Sequence, residues 1–185
     1  MRDAGLAGAW RDEQLAVCDE AGQRMGTIER AAVRPLGITT HAVHLAAQTA
    51  DGHHWVQQRA LDKSVDPGLL DTLMGGMISA TDTLETALQR ETWEEAGLQL
   101  TELHSLQNGG CLTTGRPSPD GGGTGYLVEH IDWYYCTVPA GVRPVNQDGE
   151  VELFALLPRD ELLHRMQHND FTIDAALILA QVLRL

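Results

Sequence analysis

The stretch Gly76–Leu98, GMISATDTLETALQRETWEEAGL, decides how this chain is read. It carries a glycine, an acid six residues later at Asp82, and then the cluster Arg90-Glu91-Thr92-Trp93-Glu94-Glu95-Ala96-Gly97. The spacing predicts a helix over Asp82–Ala96. At about 100° per residue, Glu91, Glu94 and Glu95 share an arc of about 100°, with Arg90 at one border. Leu84 and Leu88, followed by Thr92, form an apolar flank. Asp82 and Glu85 fit a capping box with Asp82 as N-cap. Gly97 fits the position after the last helical residue, where a left-handed backbone costs glycine nothing.

Here acids stack on acids, at a helix C-terminus where the dipole disfavours negative charge. An ordinary solvated face alternates acid and base at i,i+4. The arrangement therefore calls for a ligand that offsets the repulsion. A hard divalent cation, Mg²⁺ or Mn²⁺, takes oxygen ligands and keeps places for water and substrate phosphate. Arg90 is placed to hold the Glu91 carboxylate in a bidentate pair.

The pattern resembles the Nudix box: Gly, five residues, Glu, seven residues, then Arg-Glu-aliphatic-x-Glu-Glu-x-Gly-aliphatic. Gly76, Arg90, Glu91, Glu94, Glu95, Gly97 and Leu98 stand at matching spacing. Two positions depart from it: Asp82 stands where the family has Glu, and Thr92 where an aliphatic residue is usual. Further blocks, Trp10–Glu13, Ile28–Ala32, Lys63–Asp71 and Asn146–Glu152, resemble a Nudix subfamily related to thiamine pyrophosphokinase. The resemblance implies an α/β/α sandwich with a mixed sheet and the box on its helix. It implies hydrolysis of a diphosphate bond in a small organic or nucleoside diphosphate, with thiamine diphosphate or its damaged analogues as the subfamily's suggestion. It also implies Glu94 and Glu95 as main metal ligands, Glu91 as ligand or base, Arg90 as its orienting partner, and the Gly76 carbonyl as a further ligand. A homodimer is expected on the same ground.

Length and composition bound the alternatives. At 185 residues the chain is expected to be a single domain, with residues 1–34 as an N-terminal extension and 76–98 as the box. Its formal net charge is −13, with only 13 Lys and Arg against 26 Asp and Glu, which argues against a nucleic acid polymer as partner. A small anionic substrate remains open, because a bound metal reverses the local field. The three cysteines, Cys18, Cys111 and Cys136, form no Cys-x-x-Cys pair, so neither a zinc site nor a disulfide framework is expected. Met1–Trp10 lacks the apolar run of a signal peptide, and no segment is long enough to span a membrane, so a cytoplasmic location is the expectation.

Along the chain, His41–Thr49 alternates with Val43, Leu45 and Ala47 on one face, and Trp55–Ala60 reads as its partner strand across Asp51-Gly52. Leu98–Leu106 reads as another strand. Asn108–Gly125, with seven glycines and two prolines, is expected to be a mobile loop. Tyr126–Val138 and Glu150–Leu156 read as strands, and helices are expected from Pro158 and over Phe171–Leu183.

Outside the helix, Glu150 and Glu152 would share a strand face, and Glu150 is the favoured downstream acid, as base and metal ligand. Arg59, on a strand face with Trp55 and Gln57, is a candidate phosphate contact, as are Lys63 and Arg116 in the glycine-rich segment. Trp133, Tyr134 and Tyr135 are candidates to stack on a base or thiamine ring, though such a run is more often core on one face. His164 and His168 have the i,i+4 spacing of a zinc pair but no acid between them, and read as a surface pair. Two further classes stand beside a pyrophosphohydrolase. One is a non-catalytic ligand-binding or regulatory domain, which would have to lose a metal acid. The other is an isoprenyl diphosphate isomerase, which wants a Cys–Glu pair with Cys111 or Cys136 as nominee. Within the hydrolase class, a nucleotide-sugar or ADP-ribose diphosphatase is the alternative to thiamine diphosphate.

Overall fold

The structure, a computed structural model, describes residues 1–118 and 120–185. The chain divides into two compact units. One comprises Met1–Ala42, Met77–Ala87 and Cys111–Asp132, and the other Val43–Gly76, Leu88–Gly110 and Trp133–Leu185.

Strands β1 (Gln14–Cys18) and β2 (Arg24–Glu29) form an antiparallel hairpin within the expected N-terminal extension. The Asp19 carboxylate closes its turn, accepting from the N–H groups of Ala21 and Gln23 at 2.9 and 2.8 Å. Glu29 caps the short helix α1 (Arg30–Val33), and Leu15, Val33 and Met77 form a small core with Ile28 and Ile38 against it.

Seven further strands build the main sheet: β3 (Thr40–Gln48), β4 (His54–Arg59), β5 (Leu70–Asp71), β6 (Met74–Met77), β7 (His104–Ser118), β8 (Gly125–Thr137) and β9 (Val151–Leu157). Their order is β5-β4-β3-β8-β7, with β6 beside β3 and β9 beside β4. The helices are α2 (Leu84–Ala96), α3 (Asp120–Gly123), α4 (Arg159–Gln167) and α5 (Ile173–Leu183). The expected hairpin is present: Ala47 pairs with Trp55 and Gln48 with His54, and Gly52 takes the turn at φ 83°. Period-2 alternation along β4 sends successive side chains to opposite faces. Val56 joins the core of Leu70, Leu157, Leu162, Phe171, Ala175, Leu179 and Leu183, where α4 and α5 cover the sheet. Gln57, the next residue, reaches Glu95 of α2 instead.

Three sequence expectations change. Asn108–Gly125 is mostly regular secondary structure in place of a loop: β7 runs through to Ser118, α3 follows, and β8 begins at Gly125, with Pro119 outside the described residues. Gly109 is there for packing, since a Cβ would lie 2.2 Å from the Trp133 ring. Leu98–Leu106 is interrupted by a 3-10 turn at Leu100–Glu102, closed by reciprocal bonds between Gln99 and Glu102, and the strand starts only at His104. The cap of α2 sits one residue later than expected. Thr83 Oγ1 accepts from Thr86 N–H at 3.2 Å and Thr86 Oγ1 accepts from Thr83 N–H at 2.8 Å, so two hydroxyls do the work assigned to Asp82 and Glu85.

Candidate active site

Helix α2 ends where the sequence placed its end. Gly97 is left-handed at φ 63°, its N–H donates to Trp93 O at 2.8 Å, and Leu98 N–H turns back to Thr92 O at 3.3 Å. The loop between β8 and β9 is docked on the open carbonyls of the helix: Val145 N–H donates to Ala96 O at 2.8 Å and Gln147 N–H to Glu94 O at 3.0 Å. The box helix and the segment leading to Glu150 are thereby tied together.

The three acids have different surroundings. Arg90 Nη1 donates to Glu91 Oε1 at 2.9 Å and to Glu94 Oε2 at 2.8 Å, so one nitrogen bridges two carboxylates where a fork on Glu91 alone was expected. Glu94 is the most open, at 41 % side-chain exposure against 12 % for Glu91. Burial pushes the Glu91 carboxyl up to about 7; Arg90 opposes this, while Glu94 and Glu150 add to it. Glu95 is buried, and its Oε2 accepts from Gly75 N–H at 2.9 Å and Gln57 Nε2 at 2.8 Å. Burial again dominates and lifts it to about 8; the Gly75 hydrogen bond opposes this and the charge of Glu91 adds to it.

Gly76 lies directly under Glu91. A Cβ there would come within 2.1 Å of the Glu91 carboxyl carbon and within 2.5 Å of both oxygens. Gly75 is wedged in the same way against the ring of His44, 2.4 Å from a hypothetical Cβ. Behind it, His44 Nδ1 meets Thr72 Oγ1 at 3.0 Å, and Thr72 Oγ1 donates to Met74 O at 2.8 Å.

Glu150 ends a stitched loop. Asn146 Oδ1 accepts from Asp148 and Gly149 N–H at 3.2 and 3.1 Å, Asn146 Nδ2 donates to Val151 O at 2.7 Å, and Asp148 Oδ1 accepts from Glu150 N–H at 2.8 Å. Lys63 Nζ forms an ion pair with Glu150 Oε2. Glu150 lies just before β9. Val151 opposes Arg59 and Leu153 opposes Gln58, so the register shift leaves Glu152 as an extra, exposed residue. The charge of Glu150 bears on Glu91.

The cations named from sequence are engaged. Arg59 pairs with Asp71 at 3.4 Å and donates to Val65 O at 3.1 Å. Lys63 faces Glu150. Arg116 lies in β7, within the other unit. Trp133 is buried beneath Gly109, while Tyr134 and Tyr135 are half-buried. His168 Nδ1 lies 2.7 Å from the His164 carbonyl, and the two rings sit 4.2 Å apart, a local pair on α4. Cys136 is a buried thiol pushed up to about 12 by burial, unsuited to proton transfer near neutrality. Sequence reasoning missed Gln57 and Gly75 as partners of Glu95. A glutamine on the Trp55 face of a strand was the available signal.

Among the described residues, no three His, Cys, Asp or Glu side chains are gathered as a ready metal cage. The donor chemistry nevertheless suits a hard cation: carboxylate oxygens of Glu91 and Glu94 held at one guanidinium, with the Gly76 backbone packed against Glu91.

The chain matches the NUDIX domain over residues 39–177, and it belongs to that family. It is 25% identical over 196 residues to an uncharacterized protein of Saccharomyces cerevisiae, a match covering 97% of this chain and 56% of that one. With "Nudix hydrolase 20, chloroplastic" of Arabidopsis thaliana it shares 30% identity over 158 residues, 78% of this chain and 38% of the plant protein. The chain thus spans about half or less of the length of these curated relatives. Among solved structures, DR0079 of Deinococcus radiodurans superposes with a TM-score of 0.69 at 22% identity, covering 90% of this chain and 97% of that one. The fold is accordingly the α/β Nudix fold, a mixed sheet with helices. Nudix hydrolases in general use divalent metals. Among the described residues, no helix is long and apolar enough to cross a membrane.

Proposed function

We propose that this chain is a divalent-metal-dependent pyrophosphohydrolase that cleaves the diphosphate bond of a small organic or nucleoside diphosphate. One observation carries the reading: Glu91 and Glu94 share the Arg90 guanidinium over a glycine that has no room for a Cβ, with Glu95 anchored one strand residue away at Gly75. A structural charged helix needs no such glycine. Glu91, Glu94, Glu95, Glu150 and the Gly76 carbonyl would hold Mg²⁺ or Mn²⁺. When bound, the cation neutralises phosphate charge and lowers the pKa of water.

The chain's own residues do the rest. Arg90 keeps the Glu91 and Glu94 carboxylates together and oriented. Gln57 and Gly75 fix Glu95. Glu150 accepts the proton of the attacking water as its oxygen bonds to phosphorus, the anhydride P–O bond breaks, and a monophosphate leaves. Arg59 and Lys63 supply positive charge for the diphosphate, which must compete with Asp71 and Glu150 for them; Arg116 is a third candidate phosphate contact on sequence grounds alone. Residues 39–177 draw on both units, which supports one Nudix domain with 1–34 as its N-terminal extension. A homodimer and a cytoplasmic setting complete the reading; the three free cysteines suit a reducing compartment.

The test is release of phosphate or monophosphate from a panel with Mg²⁺, Mn²⁺ or EDTA. The panel holds thiamine diphosphate and its oxidised analogues, ADP-ribose, nucleotide sugars, nucleoside triphosphates and dinucleotides. Thiamine compounds lead it because of the four sequence blocks outside the box. Metal-dependent turnover of at least one member is expected, abolished by EDTA. Tight binding with no turnover of any member would instead favour a non-catalytic binding domain.

A further inference from the structure

Lys63 and Glu150 are fastened at three levels. The Ala60 N–H donates to Glu150 O at 3.0 Å, and the Ala60 carbonyl accepts from Lys63 N–H at 3.2 Å. The side chains then close the ring as an ion pair, with Lys63 at 16% exposure and Glu150 at 37%. Glu150 stands among acids: its charge acts on Glu91 and on Asp148. Left to that field, a carboxylate with open solvent beside it would swing outward. The loop's stitches, from Asn146 and Asp148, hold its backbone, and the Lys63 ammonium holds its carboxylate.

We propose that Lys63 is a positioning residue, the resident counter-ion that holds the Glu150 carboxylate toward the acids of α2. This rests on the pyrophosphohydrolase reading, in which Glu150 serves the metal and the water. It assigns Lys63 a task that precedes any substrate contact.

The role has a signature opposite to that of a bystander cation. Deleting a positive charge near a cation site should by Coulomb's law tighten cation binding. If Lys63 holds a ligand in place, deleting it weakens binding instead. Loss of residues that orient a metal's ligands costs about 10- to 100-fold in affinity.

The experiment is Mn²⁺ binding to the purified chain without substrate, followed by the loss of the free-ion electron paramagnetic resonance signal. Lys63→Met should weaken Mn²⁺ binding about tenfold or more. Glu150→Gln should weaken it similarly, and the double variant no further. Lys63→Arg should restore binding to within about threefold of wild type, since the ion pair survives. Lys63→Gln, with circular dichroism on every variant, guards against misfolding. Equal or tighter binding by a folded Lys63→Met would overturn the positioning role and leave the enzyme reading standing. Absence of Mn²⁺ binding by the wild-type chain would overturn the enzyme reading itself. With a substrate in hand, Lys63→Met should lower kcat whatever it does to KM, and an unchanged kcat would reject the positioning role.

Discussion

Gly76→Ala adds one methyl group under Glu91. The glycine lies in strand β6 outside the left-handed region, so alanine strains no backbone dihedral. Its cost is steric: the new carbon would sit 2.1 Å from the Glu91 carboxyl carbon and 2.4 Å from Oε2. Carbon atoms pack at about 3.5–4.0 Å, so the gap must open by more than about 1 Å. The backbone of α2 is pinned at its C-terminus by Val145 and Gln147, so the Glu91 side chain is what gives, against its 2.9 Å bond to Arg90. A displacement of about 1 Å in a positioned group costs on the order of 100-fold in rate, or about 2.7 kcal/mol of barrier. Overpacking costs folding stability about 1–3 kcal/mol, offset by about 0.4–1 kcal/mol from the stiffer unfolded chain. The assay pairs initial rates on a panel substrate with urea unfolding, for Gly76→Ala, Glu91→Ala and the double variant. In the double variant the overlap is gone: stability should return toward that of Glu91→Ala while the rate stays low. Because alanine keeps the Gly76 carbonyl, the loss reports on Glu91. Wild-type rates in Gly76→Ala, or an equal stability loss with and without Glu91, would refute the reasoning.

Thr92 is fully buried and its hydroxyl has no partner, so Thr92→Val should stabilise the chain by about 1–2 kcal/mol in urea unfolding; a destabilised variant would contradict this. His54 is buried, and desolvation, with the charges of Arg159 and His53, lowers its pKa below the ordinary 6.5. Its folded form favours the neutral ring, so this contribution to stability is complete above about 6.5 and is lost as pH falls through the lower folded value. His54→Phe should flatten the stability–pH curve on that acid side; an unchanged slope would reject the assignment. Alkylation by iodoacetamide near pH 8, read by peptide mass spectrometry, should spare Cys136, whose thiol burial pushes to about 12, while the exposed Cys111 reacts.

The legible parts of the sequence were those written in local chemistry. Gly97 ended α2 because only its own backbone had to turn, and Asp51-Gly52 marked the β3–β4 hairpin for the same reason. The illegible parts depended on distant partners. The glycines of β7 read as loop because composition tells what a residue permits; Gly109 is required by the Trp133 ring, 24 residues away in the chain. Gln57 could be seen to face inward, but not to meet Glu95, since nothing local in β4 refers to α2. The preference for Glu150 over Glu152 rests on analogy, and the register shift at Glu152 is one that no residue of β9 announces.

Gly75, Gly76 and Gly109 share one property: each is a socket for a particular side chain, His44, Glu91 and Trp133 respectively. None of the three lies at a positive φ that would by itself demand glycine; Gly110, beside Gly109, does, at 130°. Their smallness is thus a debt to a partner, and it lapses when the partner shrinks. Among diverging copies of this chain, a larger residue at 75 should travel with a smaller one at 44, and the same should hold for 109 with 133. Position 76 has no such freedom so long as 91 must stay an acid, and so its history should record which lineages kept the chemistry.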